Sequence, residues 1–156
     1  AAQLDRFMFN IWLDYPALEE EIQIVSQTTS VRKEEIHSIL EKDQILALQN
    51  LVREVPVPDH VLRQAVELVT KTRPGTEHSS PFVDQYLGWG AGPRASQFLI
   101  LGAKTRALSK GRYNVEIEDL QALAVPVLRH RIVTNYAAEA EGISSVDIIN
   151  RLVKSL

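Results

Sequence analysis

Gly-Trp-Gly-Ala-Gly-Pro-Arg-Ala-Ser, residues 88–96, is the stretch of this chain that carries most information about its fold. Three glycines alternate with other residues, which lets the backbone turn tightly and approach a neighbouring segment closely. Pro93 suits the first turn of a helix, because the N–H that proline lacks has no partner there. The sequence therefore predicts a tight loop followed by a long helix from Pro93 to Lys110, with Gly111 just beyond its C-terminal end.

The start of this predicted helix carries an arginine. Phe98, Leu101 and Leu108 form an apolar stripe at helical spacing, and Arg94 heads the same stripe four residues before Phe98. The free N–H groups and the dipole of a helix N-terminus attract anions. A guanidinium adds a permanent charge and a forked donor that suits phosphate. Two interpretations follow: Arg94 binds phosphate, or it pairs with a nearby carboxylate and is purely structural.

The composition excludes several classes of protein. The 156 residues are 45% hydrophobic and 24% charged, as in an ordinary globular domain. The absence of cysteine excludes disulfides and thiolate metal sites, and the four histidines lack ligand spacing. A net charge of −3 provides no basic footprint for nucleic acid, and no apolar run approaches the roughly 20 residues that span a bilayer. We therefore expect a cytoplasmic protein with no nucleic-acid partner and no membrane insertion.

An isolated strand is predicted near the beginning of the chain. Residues 7–13 alternate between two apolar faces that are rich in β-forming side chains, which is typical of a strand covered on both sides. The sequence offers no convincing second strand, and an unpaired strand leaves its backbone groups without partners. We therefore expect its sheet to belong to an N-terminal part that is missing from this chain. Arg6 precedes the strand, where a surface salt bridge is the ordinary structural role.

Most of the remaining sequence predicts helices separated by proline- and glycine-containing loops. Asp43 is the expected N-cap of one helix, and Pro126 is expected to kink or restart another. The cluster Arg129-His130-Arg131 is expected to pair with Glu139 and Glu141. The further predicted helices cover residues 18–27, 33–40, 43–53, 59–72 (with Leu62, Ala65, Val66 and Val69 inward), 115–124 and a last helix after the capping box Ser144-Ser145-Val146-Asp147.

Two segments superficially imitate nucleotide-binding motifs. The glycines of residues 88–92 lack the third-glycine spacing of a dinucleotide loop, and no strand is predicted immediately before them. Gly102-Ala103-Lys104-Thr105 lacks adjacent Gly-Lys and lies within a predicted helix, so it is not a phosphate-binding loop. No apolar strand ends in Asp-Glu to hold magnesium. Alone, this chain is therefore not expected to hydrolyse ATP.

Several segments resemble one known family. Gly90-Ala91-Gly92-Pro93-Arg94-Ala95-Ser96 resembles the sensor 2 motif Gly-Ala-Ser-Pro-Arg-Ala of the MoxR family of AAA+ ATPases, with Gly92 where serine is usual. Residues 2–7, Ala-Gln-Leu-Asp-Arg-Phe, are similar to that family's Glu-Ala-Gln-Leu-Asp-Arg-Phe segment. Residues 130–132 and 138–143 resemble its C-terminal lid. The segments occur in the family's order and spacing and together cover nearly the whole chain.

The resemblance implies a mainly α fold. Residues 16–156 would form the α-helical lid, with sensor 2 at 90–96, and residues 1–15 would carry the last β-strand of an α/β ATPase core that is absent from this chain. It further implies ATP and Mg²⁺, bound mainly by the missing core. Arg94, with Gly92 and Pro93, would lie at the nucleotide in cis. Arg6 would be the arginine finger that reaches the nucleotide of the next subunit.

The resemblance also implies partners. Proteins of this family assemble into rings, typically hexamers, and act as chaperone-like ATPases that remodel partners, frequently through proteins with a von Willebrand A domain. Two other classes stay open. One is a stand-alone all-α interaction domain in which Arg94 is structural. The other is a helix-turn-helix nucleic-acid binder, which the acidic balance disfavours.

Overall fold

The computed structural model describes residues 3–31 and 37–156. The described part of the chain is mainly helical, as predicted, with one small antiparallel sheet. The elements, in chain order, are a 3₁₀ turn (Leu4–Arg6), α1 (Leu18–Thr28), α2 (Lys42–Glu54), α3 (Asp59–Thr70), α4 (Pro81–Tyr86), β1 (Leu87–Trp89), α5 (Pro93–Ser109), α6 (Ile117–Leu128), β2 (Val133–Thr134), α7 (Tyr136–Ala140) and α8 (Ser145–Val153).

Helix α5 is the centre of the bundle, because it packs against α2, α3 and α6. It begins at Pro93 and is capped at its end by Lys110, as the sequence predicts. Gly111 follows with φ +70°, a left-handed conformation that glycine adopts without a steric penalty.

The buried face of α5 is not the predicted one. The stripe of Phe98, Leu101 and Leu108 is only half-buried, whereas the fully buried positions are small residues and one leucine: Ala95, Leu99, Gly102, Ala103 and Ala107. Small side chains let neighbouring helices approach closely, so this face packs at the centre while the bulky side chains fill its margins. The prediction for α3 is partly confirmed. Ala65 and Val69 are buried as expected, whereas Leu62 and Val66 lie about half exposed and Val61 and Leu68 are buried instead.

Helix α6 runs through Pro126 without a break and ends at Leu128, so the expected restart at this proline is wrong. Proline removes one backbone hydrogen bond. The burial of Leu120, Ala124 and Val127 in the same helix offsets that loss. The carbonyl of Pro126 lies in the last turn, where carbonyls lack helical partners, and it accepts a hydrogen bond from the amide of Asn10 (2.8 Å).

The N-terminal segment lies along this end of α6. Residues 7–13 form no ladder within the described part of the chain. Helix α2 is capped by Glu41, and Asp43 lies inside its first turn instead of being the N-cap. The predicted helix 33–40 lies partly outside the described residues, and 37–40 are not helical.

The pairing of β1 with β2 and the helix α4 were not predicted. Leu87 of β1 pairs with Thr134 of β2, and Trp89 pairs with Val133. A strand therefore does lead directly into the glycine loop, contrary to the sequence-based expectation, although the spacing of the glycines still excludes a dinucleotide loop.

The last helix begins as predicted, because the Ser144 side chain accepts from the amide of Asp147. None of the described helices is both long and apolar enough to cross a membrane.

Candidate functional site

The glycine loop before α5 is fixed to the C-terminal end of α3. The buried hydroxyl of Thr72 donates to the carbonyl of Val69 (2.6 Å) and accepts from the amide of Ala91 (3.0 Å). The Nε of Arg73 donates to the carbonyl of Ala91 (2.9 Å). Both backbone groups of Ala91 are thus held by consecutive residues of one segment, which sets where the loop delivers the chain into α5.

Gly90 and Gly92 have different structural roles. A Cβ at Gly90 would lie 2.3 Å from the carbonyl oxygen of Thr72 and 2.6 Å from the Cα of Arg73, so the close approach requires glycine. A Cβ at Gly92 would meet nothing within 4 Å. Gly92 is the N-cap of α5, with extended backbone and no side chain to cap the helix. The backbone there therefore accommodates the serine that is usual at this position in the resembled motif.

Arg94 stands at the start of α5, as predicted, and its side chain is 49% exposed. Its Nη1 donates to Oδ2 of Asp5 (2.9 Å). The other oxygen of the same carboxylate, Oδ1, accepts from Nε of Arg131 (3.1 Å). Asp5 therefore bridges two arginines that are separated by 37 positions in the chain, and the carboxylate pairing that one interpretation of Arg94 required is present.

Arg131 is the fixed member of this cluster, since its side chain is 1% exposed. Its Nη1 donates to the carbonyls of Met8 and Val127, and its Nη2 to those of Asp5 and Phe7. With the Nε bond to the Asp5 carboxylate, all five N–H groups of the guanidinium have acceptors. Burial lowers the pKa of Arg131, and the Asp5 carboxylate opposes that effect. Arg131 thus anchors the N-terminal segment to α6.

The predicted pairing of the basic cluster with Glu139 and Glu141 is wrong. The Nε2 of His130 lies 3.1 Å from the carbonyl of Phe7, and burial lowers the pKa of His130. The guanidinium of Arg129 stacks 5.2 Å from the Trp12 ring. All three residues of the cluster thus face the N-terminal segment. Glu141 accepts from the hydroxyl of Tyr86 instead (2.8 Å).

Arg6 lies on the same 3₁₀ turn as Asp5. Its Nε donates to the carbonyl of Gln3 (3.2 Å), its guanidinium lies 5.9 Å from the Phe7 ring, and the side chain stays at the surface. Arg6 therefore directly follows Asp5 in the chain, but its side chain bonds the Gln3 carbonyl, whereas the Asp5 carboxylate binds Arg94.

A cleft of about 490 Å³ opens beside this cluster. Asp5 and Arg131 form its polar side, and Trp89, Gly90 and Gly92 contribute the glycine loop. Among the residues that the structure describes, no group of three or more histidine or acidic side chains could hold a metal ion. Arg94 does not line this cleft, but at the start of α5 its half-exposed guanidinium can be offered to an anion, whereas the described residues offer no ligand set for Mg²⁺.

Three residues of the site were missed by sequence reasoning, namely Asp5, Thr72 and Arg73. Thr72 carries no motif signal, because its partner Ala91 is 19 positions away. Asp5 is part of the segment that was singled out for Arg6, so it could have been considered as a partner for Arg94. Its role emerges only from the fold, which brings it across 89 positions of sequence.

Comparisons with known proteins agree with this architecture. Residues 81–152 match the AAA lid domain family. The chain is 34% identical over 155 residues to the chaperone MoxR1 of Mycobacterium tuberculosis, covering 99% of this chain and 41% of that protein. It is 33% identical over 156 residues to the uncharacterized protein YeaC of Bacillus subtilis, covering 46% of it. The crystal structure of a candidate ATPase from Cytophaga hutchinsonii superposes with a TM-score of 0.89 at 33% identity, covering 99% of this chain and 47% of that one.

The fold and the matched segment define the class: the chain contains the lid domain of an AAA+ protein. Its similarity over nearly its whole length identifies it further, as a member of the MoxR family of AAA+ ATPases. The resemblance noted in the sequence is thereby confirmed. The chain spans less than half the length of each of these relatives.

Proposed function

We propose that this chain is the C-terminal part of an ATP-hydrolysing, chaperone-like MoxR ATPase of the cytoplasm. Residues 1–15 would end the ATPase core, and residues 16–156 would form the lid that senses nucleotide and transmits hydrolysis to a partner. The observation that carries the proposal is Arg94, an exposed guanidinium at the N-terminus of α5, directly after a loop whose backbone is held by Thr72 and Arg73.

The residues of this chain fit an anionic nucleotide but not a metal. Arg94 donates a single hydrogen bond within the described residues, so most of its five N–H groups are available to phosphate oxygens. Gly92 leaves open the space in front of the helix, because a Cβ there would meet nothing within 4 Å. Because the described residues provide no metal-ligand cluster, Mg²⁺ would be held by the core along with most of the ATP. When bound, ATP would supply the phosphoanhydride bond whose hydrolysis moves the lid, and Arg94 would stabilise the negative charge on the phosphoryl group that is transferred.

Arg6 would act in trans. Its side chain is at the surface, on a turn that Asp5 and Arg131 fix to the lid. An exposed arginine on a fixed turn can present its charge to the nucleotide of a neighbouring subunit, as arginine fingers do. This role requires a ring, for which we propose a hexamer. Proteins with a von Willebrand A domain are the proposed class of partner.

ATP turnover by the full-length protein tests this proposal. We expect Arg94→Ala to lower turnover about tenfold or more, which corresponds to about 1.4 kcal/mol of barrier. Arg63→Ala, which removes an exposed arginine from α3, is the matched control and should leave turnover unchanged. For Arg6, inactive Arg6→Ala subunits are mixed with subunits inactivated at Arg94. Recovery of turnover in mixed rings supports a role in trans, and its absence contradicts that role.

A second function is favoured by one specific observation. The Arg94–Asp5 ion pair is what a purely structural arginine in an all-α domain that serves protein interaction requires. On that alternative, Arg94→Ala leaves turnover of the full-length protein unchanged, provided that its melting temperature matches that of the unchanged protein. Because both side chains are partly exposed to solvent, such a pair contributes only about 0–1 kcal/mol to stability, so the variant should fold.

A further inference from the structure

We propose that Asp5 is a positioning residue for Arg94, and that it ties the position of this arginine to the turn that carries Arg6. The inference rests on the proposed function and deepens it. It assigns a role to Asp5, whose side chain contacts no substrate. Asp5 binds the arginine proposed to act in cis and directly precedes, in the chain, the arginine proposed to act in trans.

The first step of the argument is the difference between the two arginines that Asp5 bridges. Arg131 is buried and all of its N–H groups are engaged, so it has no donor left for a ligand. Arg94 is half exposed and gives Asp5 only Nη1. The cluster therefore consists of a fixed arginine, a carboxylate and an available arginine, and phosphate can be contacted only by the last.

The second step concerns the freedom of the arginine side chain. An exposed arginine has several rotatable bonds, and ordering them costs about 2 kcal/mol of rotamer entropy. Oδ2 of Asp5 removes much of that freedom, because the carboxylate is itself held through Oδ1 by Arg131. Arg94 is thus ordered before a ligand arrives, while Nε and Nη2 stay available. Such preorganisation favours a charged transition state.

The third step is the position of Asp5 in the chain. It lies inside the 3₁₀ turn Leu4–Arg6, directly before the exposed Arg6. The backbone carbonyls of Asp5 and Phe7, on either side of Arg6, both accept from Nη2 of Arg131. A displacement of Arg94 that is transmitted through the Asp5 carboxylate therefore acts on the same turn that presents Arg6, and the two arginines should not move independently.

A double-mutant cycle in the full-length protein tests the inference. Asp5→Asn keeps the size of the side chain and removes its charge. We expect it to lower kcat for ATP by about threefold or more with a smaller change in KM, because positioning of a phosphate-binding arginine matters most in the transition state. In the Arg94→Ala background, Asp5→Asn should then have no further effect beyond about twofold, since the residue it positions is gone.

The matched control is Glu118→Gln. Glu118 is an exposed carboxylate near Arg106, Lys110 and Arg112, at the other end of α5. Arg106 is 12 positions from Arg94, about 18 Å along the helix at 1.5 Å per residue. Glu118→Gln should leave kcat essentially unchanged. Any small factor by which it alters kcat should be the same with and without Arg94, because distant sites act independently.

The possible outcomes separate the two proposals. If Arg94→Ala leaves turnover unchanged, the proposed function fails, and the role of Asp5 fails with it. If Arg94→Ala lowers turnover, two results would overturn the positioning role alone. In one, Asp5→Asn lowers turnover by the same factor with and without Arg94; in the other, Asp5→Asn lowers turnover in neither background. Exchange protection of the Asn10 amide reports whether the N-terminal segment is still docked. If Asp5→Asn does not fold, the same cycle is run with Asp5→Glu. This variant keeps a negative charge beside Arg131 but displaces the carboxylate, and the same criterion applies.

Discussion

Gly90 lies against the end of α3 so closely that an added Cβ would come within 2.3 Å of the Thr72 carbonyl oxygen. This contact, together with the bond from the Ala91 amide to the Thr72 hydroxyl, fixes the loop that leads into α5. The proposed site therefore depends on a loop held by backbone contacts that allow no side chain at position 90.

Gly90→Ala should destabilise the domain, because the added methyl group meets backbone atoms that can move only together with the helix end. We expect a loss of about 1–3 kcal/mol in the free energy of unfolding, the usual cost of overpacking. Gly92→Ala is the control, because its Cβ meets nothing within 4 Å. Urea denaturation of both variants measures the difference. Equal stabilities of the two variants would contradict the close approach.

Gly92→Ser should stabilise the start of α5. The serine hydroxyl would cap an amide that now lacks a side-chain partner, and there is room for it. N-cap serine is worth about 1 kcal/mol relative to alanine. Thermal melting of Gly92→Ser beside Gly92→Ala isolates the hydroxyl from the added carbon. If serine is no more stable than alanine, the helix N-terminus is already satisfied in another way.

Thr72→Val should weaken the attachment of the loop. Valine has nearly the shape of threonine, so the change removes the hydroxyl and leaves the amide of Ala91 without its acceptor. A buried donor without a partner costs about 1–3 kcal/mol. Thr72→Ser keeps the hydroxyl and should retain more of the stability. Chemical denaturation compares the two, and a Val variant as stable as the Ser variant would rule out a role for this bond.

The sequence predicts some parts of this fold well and others poorly, for physical reasons. The limits of α5 were predictable because Pro93 and Gly111 act locally, one through its missing N–H and the other through a left-handed φ. Its buried face was not, because apolar residues occur around most of the helix. Which of them are buried depends on how closely α3 and α6 approach, and the small side chains Ala103 and Ala107 permit that approach.

The residues of the candidate site were also predictable only where they depend on local sequence. Arg94 was identifiable from its position at a helix start, and that position is a local property of the sequence. The partners of Arg131 were wrongly predicted, because nearby glutamates seemed closest in the chain, whereas the fold brings Asp5 across 126 positions. Long-range pairing of charges depends on the tertiary structure, and a single sequence does not encode it in any local pattern.

Asp119 gives the domain an acid-sensitive component of its stability. Its side chain is completely buried and accepts hydrogen bonds from Arg112, from the amide of Glu116 and from Arg106. Burial by itself raises the pKa of Asp119, but these donors outweigh it and lower the pKa from 3.8 to about 2. The ionised form is therefore bound more tightly by the folded protein than by the unfolded chain.

The sign of the pH dependence follows from that lowered pKa. The stabilisation is complete above about pH 4 and is lost as the pH falls toward 2, for a total of about 2 kcal/mol. Unfolding free energies measured by urea between pH 5 and pH 2 should show this loss. Asp119→Asn should have a lower free energy of unfolding at pH 5, and this free energy should change less between pH 5 and pH 2. Glu118→Gln should keep the pH dependence of the unchanged protein. If Asp119→Asn also keeps the full pH dependence, the acid sensitivity belongs to other carboxyl groups.

Arg131→Met should release the N-terminal segment from α6 while leaving the bundle folded. The change keeps an apolar side chain beside Phe98, over which the guanidinium is now stacked at 5.0 Å, but removes every hydrogen bond to residues 5–8. We expect a loss of about 2–4 kcal/mol in stability, since a buried charge and its partners are disrupted. Hydrogen exchange at the Asn10 amide should accelerate more than exchange within α5. Arg129→Met removes only a half-buried stacked arginine, worth about 0.5–1 kcal/mol, and should leave Asn10 protected. If Asn10 exchanges equally fast in both variants, Arg131 is not the anchor, and the coupling between Arg94 and the turn of Arg6 has no fixed point from which to act.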